Sequence, residues 1–92
     1  MAEPLKIFKY PFDIVDVFYL DIPVGAQFLS AQIQNGKPVM WFLVRPWMPK
    51  VQREFFVHGT GNPVDSFHPW RHLATIQDGP MVWHLMEHGD PR

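Results

Sequence analysis

The chain has 92 residues, 47% hydrophobic and 15% aromatic against 18% charged, with a formal net charge of −1 and no cysteine. The eight Lys and Arg are scattered singly, which excludes a basic footprint for duplex DNA or a membrane surface; the missing cysteines exclude disulfides, thiolate metal sites and a cysteine nucleophile. No apolar run approaches the ~20 residues of a membrane span, so one β domain over 1–92, cytoplasmic in its host cell, is expected, and so many large side chains in so short a chain point to a homo-oligomer.

Ten prolines punctuate the sequence, and because proline inside a helix costs about 3 kcal/mol, no long helix fits between them. Leu5 to Tyr10 reads as a first strand, turned by Pro11-Phe12-Asp13. Asp16 to Ile22 reads as a second, with Phe18, Leu20 and Ile22 on one face. Gln27 to Arg45 follows as two apolar arms meeting at Asn35-Gly36, the dipeptide suited to a two-residue type I′ turn. With that turn, Ile33 faces Pro38, Ala31 faces Met40 and Leu29 faces Phe42 on the core side, while Gln32-Val39, Ser30-Trp41 and Phe28-Leu43 share the other. This second side is half polar and half large apolar, so further strands, a subunit contact or a ligand are expected over it.

Pro46-Trp47-Met48-Pro49 is a loop that either folds back to cap the core or presents Trp47 and Met48 as an exposed contact site. Arg53 to His58 is the next strand, ended by Gly59-Thr60-Gly61-Asn62-Pro63. An irregular stretch from Val64 to Trp70 leads to the last two strands, Arg71 to Gln77 and Met81 to Glu87. Their joint, Asp78-Gly79-Pro80, echoes the first hairpin; Pro80 lacks an amide, which favours a three-residue loop with Trp83 opposite Leu73. Six or seven short antiparallel strands make an all-β domain, a small barrel or sandwich built from hairpins, and the barrel is the expected form because closure removes edge strands.

His68/His72 and His84/His88 have the spacing that chelates zinc on a helix, but on a strand such residues stand about 13 Å apart, so no metal and no cofactor is expected. The hydroxyls of Ser30, Ser66, Thr60 and Thr75 lie in no nucleophile elbow, and Asp13, Asp16 and Asp21 sit around a turn and a solvent face. No catalytic residue is assigned, and the protein is expected not to be an enzyme. Gly59-Thr60-Gly61-Asn62 is the candidate anion loop, because glycines at a strand end let successive amides turn towards one point, with His58, Arg45, Arg53 and Arg71 adding charge. The plainer reading is a bulged strand exit into Pro63. Trp41, Trp47, Trp70 and Trp83, with Met48, are the candidate contact residues, for a stacked base or for a protein partner.

Taken in order, Ile7-Phe8-Lys9-Tyr10-Pro11, Pro23-x-Gly25-Ala26, Leu29-Ser30-x-Gln32-x-Gln34-x-Gly36, Trp41-x-Leu43-Val44, Gly59-Thr60-Gly61-x-Pro63 and Val82-Trp83-His84 resemble a family of small proteins of unknown function found in bacteriophages and bacteria. The tail from His88 and the Trp47-Met48 loop depart from that pattern. The resemblance implies phage or prophage origin and brings no activity and no catalytic residue. By analogy with small phage accessory proteins, the expected function is binding, either sequestration of an anionic, nucleotide-like signalling ligand of host defence or inhibition of a host protein, with a structural phage subunit as a further alternative.

Overall fold

A computed structural model describes residues 3–64 and 69–89; Ser66 and His68 lie outside the described residues. It contains seven strands: β1 (Lys6–Pro11), β2 (Val17–Pro23), β3 (Gln27–Gln34), β4 (Lys37–Val44), β5 (Lys50–Gly59), β6 (Trp70–Asp78) and β7 (Met81–His88). All pair antiparallel, in a three-stranded sheet of order β1-β4-β3 and a four-stranded sheet of order β2-β5-β7-β6. The result is a sandwich, and the closed barrel expected from the sequence does not form. Consecutive strands β1 and β2 become edges of different sheets, while β3 and β6 run side by side without sharing a ladder. Among the described residues no helix is long and apolar enough to cross a membrane.

The first hairpin turns as its sequence requires, with φ of 52° at Asn35 and 78° at Gly36. Ile33 faces Pro38, Ala31 faces Met40 and Ser30 faces Trp41, but the register then slips, so that Phe28 rather than Leu29 pairs with Phe42. A β-bulge at Leu29 absorbs the extra residue. It turns the larger ring of Phe28 inward, 5.6 Å from the Phe42 ring, and leaves Leu29 exposed. Burying the aromatic in place of the smaller aliphatic side chain removes more apolar surface from water.

The second hairpin repeats this design. Asp78 pairs with Met81 across Gly79-Pro80, and Trp83 stands opposite Ile76, in place of the three-residue loop and the Leu73 partner expected. Pro80 is tolerated because, as the second turn residue, its nitrogen is not the one that closes the turn, and Gly79 adopts the positive φ, 57°, that the first position needs. A bulge between His72 and Ala74 matches the one at Leu29.

Between the sheets, Phe42 of β4 and Phe55 of β5 meet edge to face, and Phe12, Phe18, Phe55 and then Phe42 form a continuous aromatic spine. Met40, Val44, Val57, Ile76 and Leu85 fill in around it. Three further buried side chains, Val39, Phe56 and Met86, stand apart from this core, because alternation along their strands turns them to the outer sides of the sheets.

Candidate functional site

The inward alternation of β5 reads Arg53, Phe55, Val57, Gly59, and that of β7 reads Trp83, Leu85, Glu87. Each row is apolar in the middle, and at one end Arg53 and Glu87 meet. Arg53 donates from Nε and Nη2 to the two oxygens of Glu87, at 2.6 and 2.8 Å, a fork on a carboxylate. Its Nη1 donates to the carbonyl of Ala26 at 2.8 Å, and its guanidinium lies 5.0 Å from the centre of the Phe42 ring. Arg71, paired with Glu87 across β6 and β7, adds a bond from Nη2 at 3.0 Å. Arg45, beyond β4, brings Nη1 to 3.3 Å from where a Cβ on Gly25 would stand. Gly25 has a φ of 82°, so both its backbone and this close approach call for glycine.

Two guanidiniums, those of Arg53 and Arg71, thus share the Glu87 carboxylate, and a third, that of Arg45, stands close to Gly25. Burial pushes the Glu87 carboxyl up, but hydrogen bonds and charge from Arg53, and then from Arg71, outweigh this and hold it below the usual carboxylate range. A cavity of about 280 Å³ opens here, lined by Gly25, Ala26, Arg53, Arg71, Glu87 and Gly89, with His88 at its side. A second of about 450 Å³ shares Gly25, Ala26 and Arg71 and continues past Phe28 and Leu73 to His72.

At the other end of the four-stranded sheet lies the Gly59 turn. Asn62 N–H donates to the Gly59 carbonyl at 3.1 Å and Thr60 N–H to the Val82 carbonyl at 3.4 Å, while Gly61 takes a φ of 91°. Two of the amides expected to face an anion are therefore engaged within the protein, as in the plainer reading of a strand exit. The side chains around the turn make the more distinctive arrangement. Thr60 Oγ1 lies 2.8 Å from His84 Nε2; Thr75 Oγ1 lies 3.0 Å from His84 Nδ1 and 3.0 Å from His72 Nε2. Thr60, His72 and His84, with His58, Val64 and Met86, line an open hollow of about 210 Å³. Further along this outer face, His88 Nδ1 meets Glu54 Oε1 at 2.6 Å, and the Tyr19 hydroxyl donates to Glu54 Oε2 at 3.0 Å. Among the described residues no group of three or more His, Asp or Glu is placed to hold a metal ion.

The structure thus divides the residues expected to act together. His58, Gly59, Thr60, Gly61 and Asn62 share the hollow, whereas Arg71 lines the arginine cleft and Arg45 stands close to Gly25, which also lines it. Gly59 pairs with Trp83 and Arg71 with Glu87, four residues further along β7, a separation of about 13 Å. The contact candidates separate as well. Trp83 packs on the core and against Gly59. Trp41 lies half-buried on the outer side of the three-stranded sheet, and Trp70 is exposed at the start of β6. Trp47 is 46% exposed, in a turn closed by Met48 N–H on the Arg45 carbonyl, with Met48 half-buried. Sequence reasoning missed Glu87 as a site residue and counted Arg53 only as a supplementary charge, although a charged residue continuing an inward apolar alternation is a legible signal. The links among His72, Thr75 and His84 carry no such signal, because they depend on the register of β6 against β7.

Comparison with known proteins supplies a family model, described as Domain of unknown function (DUF7352), that matches residues 4–92. No curated protein and no solved structure matches the chain.

Proposed function

The chain belongs to that family of unknown function, and from this premise we propose that it is a non-enzymatic binding protein that sequesters a small anionic, nucleotide-like ligand in the arginine cleft. The observation that carries the reading is the meeting of Arg53 and Arg71 at a cavity where Glu87 is the carboxylate they share, with Arg45 close to the Gly25 that lines it. Positive charge exceeds negative there, with Arg53 fixed as a fork on Glu87 and Arg71 bonded to the same carboxylate through Nη2 alone, and guanidinium is the chemistry that recognises phosphate. The resemblance of the motif series to small phage proteins is the support for a phage-type accessory role, acting as a homo-oligomer in the host cytoplasm and withdrawing a signalling ligand from host defence.

Native mass spectrometry of protein taken gently from its producing cells tests this directly. A retained mass of nucleotide size is expected, lost in an Arg71→Ala variant that keeps the native fold. Retention of the same mass by that variant would move the ligand away from the cleft. A second reading, inhibition of a host protein, is favoured by the exposure of the Trp47 ring in its turn. The structural-subunit alternative predicts large assemblies at high concentration.

A further inference from the structure

The arginine cleft continues beyond Arg71. Its second chamber passes Phe28 and Leu73 to reach His72, and His72 also lines the hollow at the Gly59 turn. The bulge between His72 and Ala74 lies where the groove rounds β6, an edge strand of the four-stranded sheet. Guanidiniums therefore stand in one hollow and a line of imidazoles and hydroxyls in the other, with His72 common to the walls of both. From this continuity, and resting on the binding reading above, we propose that the ligand is held at two points, its phosphate by the arginines and a flat nitrogen heterocycle in the hollow that His72 and His84 line.

The chemistry of the second point follows from counting protons. His72 Nε2, Thr75 Oγ1, the two nitrogens of His84 and Thr60 Oγ1 form an unbroken line. Each hydroxyl and each neutral imidazole carries one proton, so only two orderings satisfy all three links. In one, Thr60 donates outward and His72 Nδ1 is left as an acceptor; in the other, His72 Nδ1 donates and Thr60 accepts. The line thus offers a donor at one end and an acceptor at the other, in either sense. A nucleobase, which presents ring nitrogens beside exocyclic amino or carbonyl groups, can use both ends. Met86 and Val64 supply apolar wall for its faces.

Isothermal titration of the whole protein with inorganic pyrophosphate, adenosine diphosphate and guanosine diphosphate tests the assignment. At least one nucleoside diphosphate is expected to bind about tenfold or more tightly than pyrophosphate, the difference that one or two well-made hydrogen bonds supply. Thr75→Val, which cuts the line, and His72→Ala, an exposed position, should each remove most of that advantage and leave pyrophosphate affinity unchanged. Arg71→Ala should weaken all three probes. Equal affinity for pyrophosphate and both nucleotides, or an advantage that survives both variants, would overturn the two-point assignment while the cleft reading stands. Failure of all three probes to bind would overturn both.

Discussion

Arg53 grips both oxygens of Glu87, at 2.6 and 2.8 Å, while the third nitrogen of the same guanidinium holds the carbonyl of Ala26 in the turn that leads into β3 of the opposite sheet. One side chain therefore serves two tasks, fixing the cleft and tying the layers together. Removing Glu87 would leave Arg53, with only 16% of its side chain exposed, without its counter-charge. Glu87→Ala is expected to destabilise the fold by about 3 kcal/mol, read as a lower urea midpoint at unchanged slope. A loss under ~1 kcal/mol would mean that the pair contributes little to stability.

The same carboxylate gives the protein an acid limit. The Glu87 carboxyl is held below its ordinary value, so its contribution is whole above the carboxylate range of the unfolded chain and is lost as pH falls through the folded value. Urea midpoints from about pH 7 down to pH 3 should fall more steeply in the wild type than in Glu87→Gln, with no difference in slope between about pH 6 and 8. Parallel acid limbs would assign the acid sensitivity to other groups.

The register slip in the first hairpin makes a paired prediction. Phe28→Ala removes a ring packed on Phe42 and should cost about 3 kcal/mol, whereas Leu29→Ala, at the exposed bulge, should stay within about 0.5 kcal/mol. A regular ladder would give the reverse order, so two thermal melts decide it.

Trp47→Ala separates the two functional readings. The ring is 46% exposed, so the melting temperature should change little, and ligand retention should be unaffected because the cleft lies elsewhere. Loss of a host-protein complex in a pull-down with this variant, with ligand retention intact, would favour the second reading.

Much of this fold was legible in the sequence for a local reason. Asn35-Gly36 sets a turn and the turn sets the first pairs, so Ile33, Ala31 and Ser30 found their partners by counting. Counting failed at Leu29, because a bulge is decided by which side chain fills the core, a property of Phe42 and the opposite sheet. It failed again at Pro80, where reading the proline as an obstacle placed the loop one residue too long. The cleft was legible only in part. Arg71 carried the right charge but was grouped with a glycine loop about 13 Å along the sheet, a distance that no one-dimensional spacing contains. What gathers the arginines is the register of β5, β6 and β7 together with the return of β3 beside β6.

The strand order also sets the sequence of events by which the chain assembles. Each hairpin closes within a few residues and needs no other part of the chain, so β3-β4 and β6-β7 are free to form independently and early. Strand β5 is different: its neighbours β2 and β7 come from opposite ends of the sequence, and it must enter between them. The closing of those long loops limits the rate. Arg53 and Phe55 ride on that strand, so cleft and aromatic spine are expected to be completed in the same step, the charge cluster forming as the core is sealed.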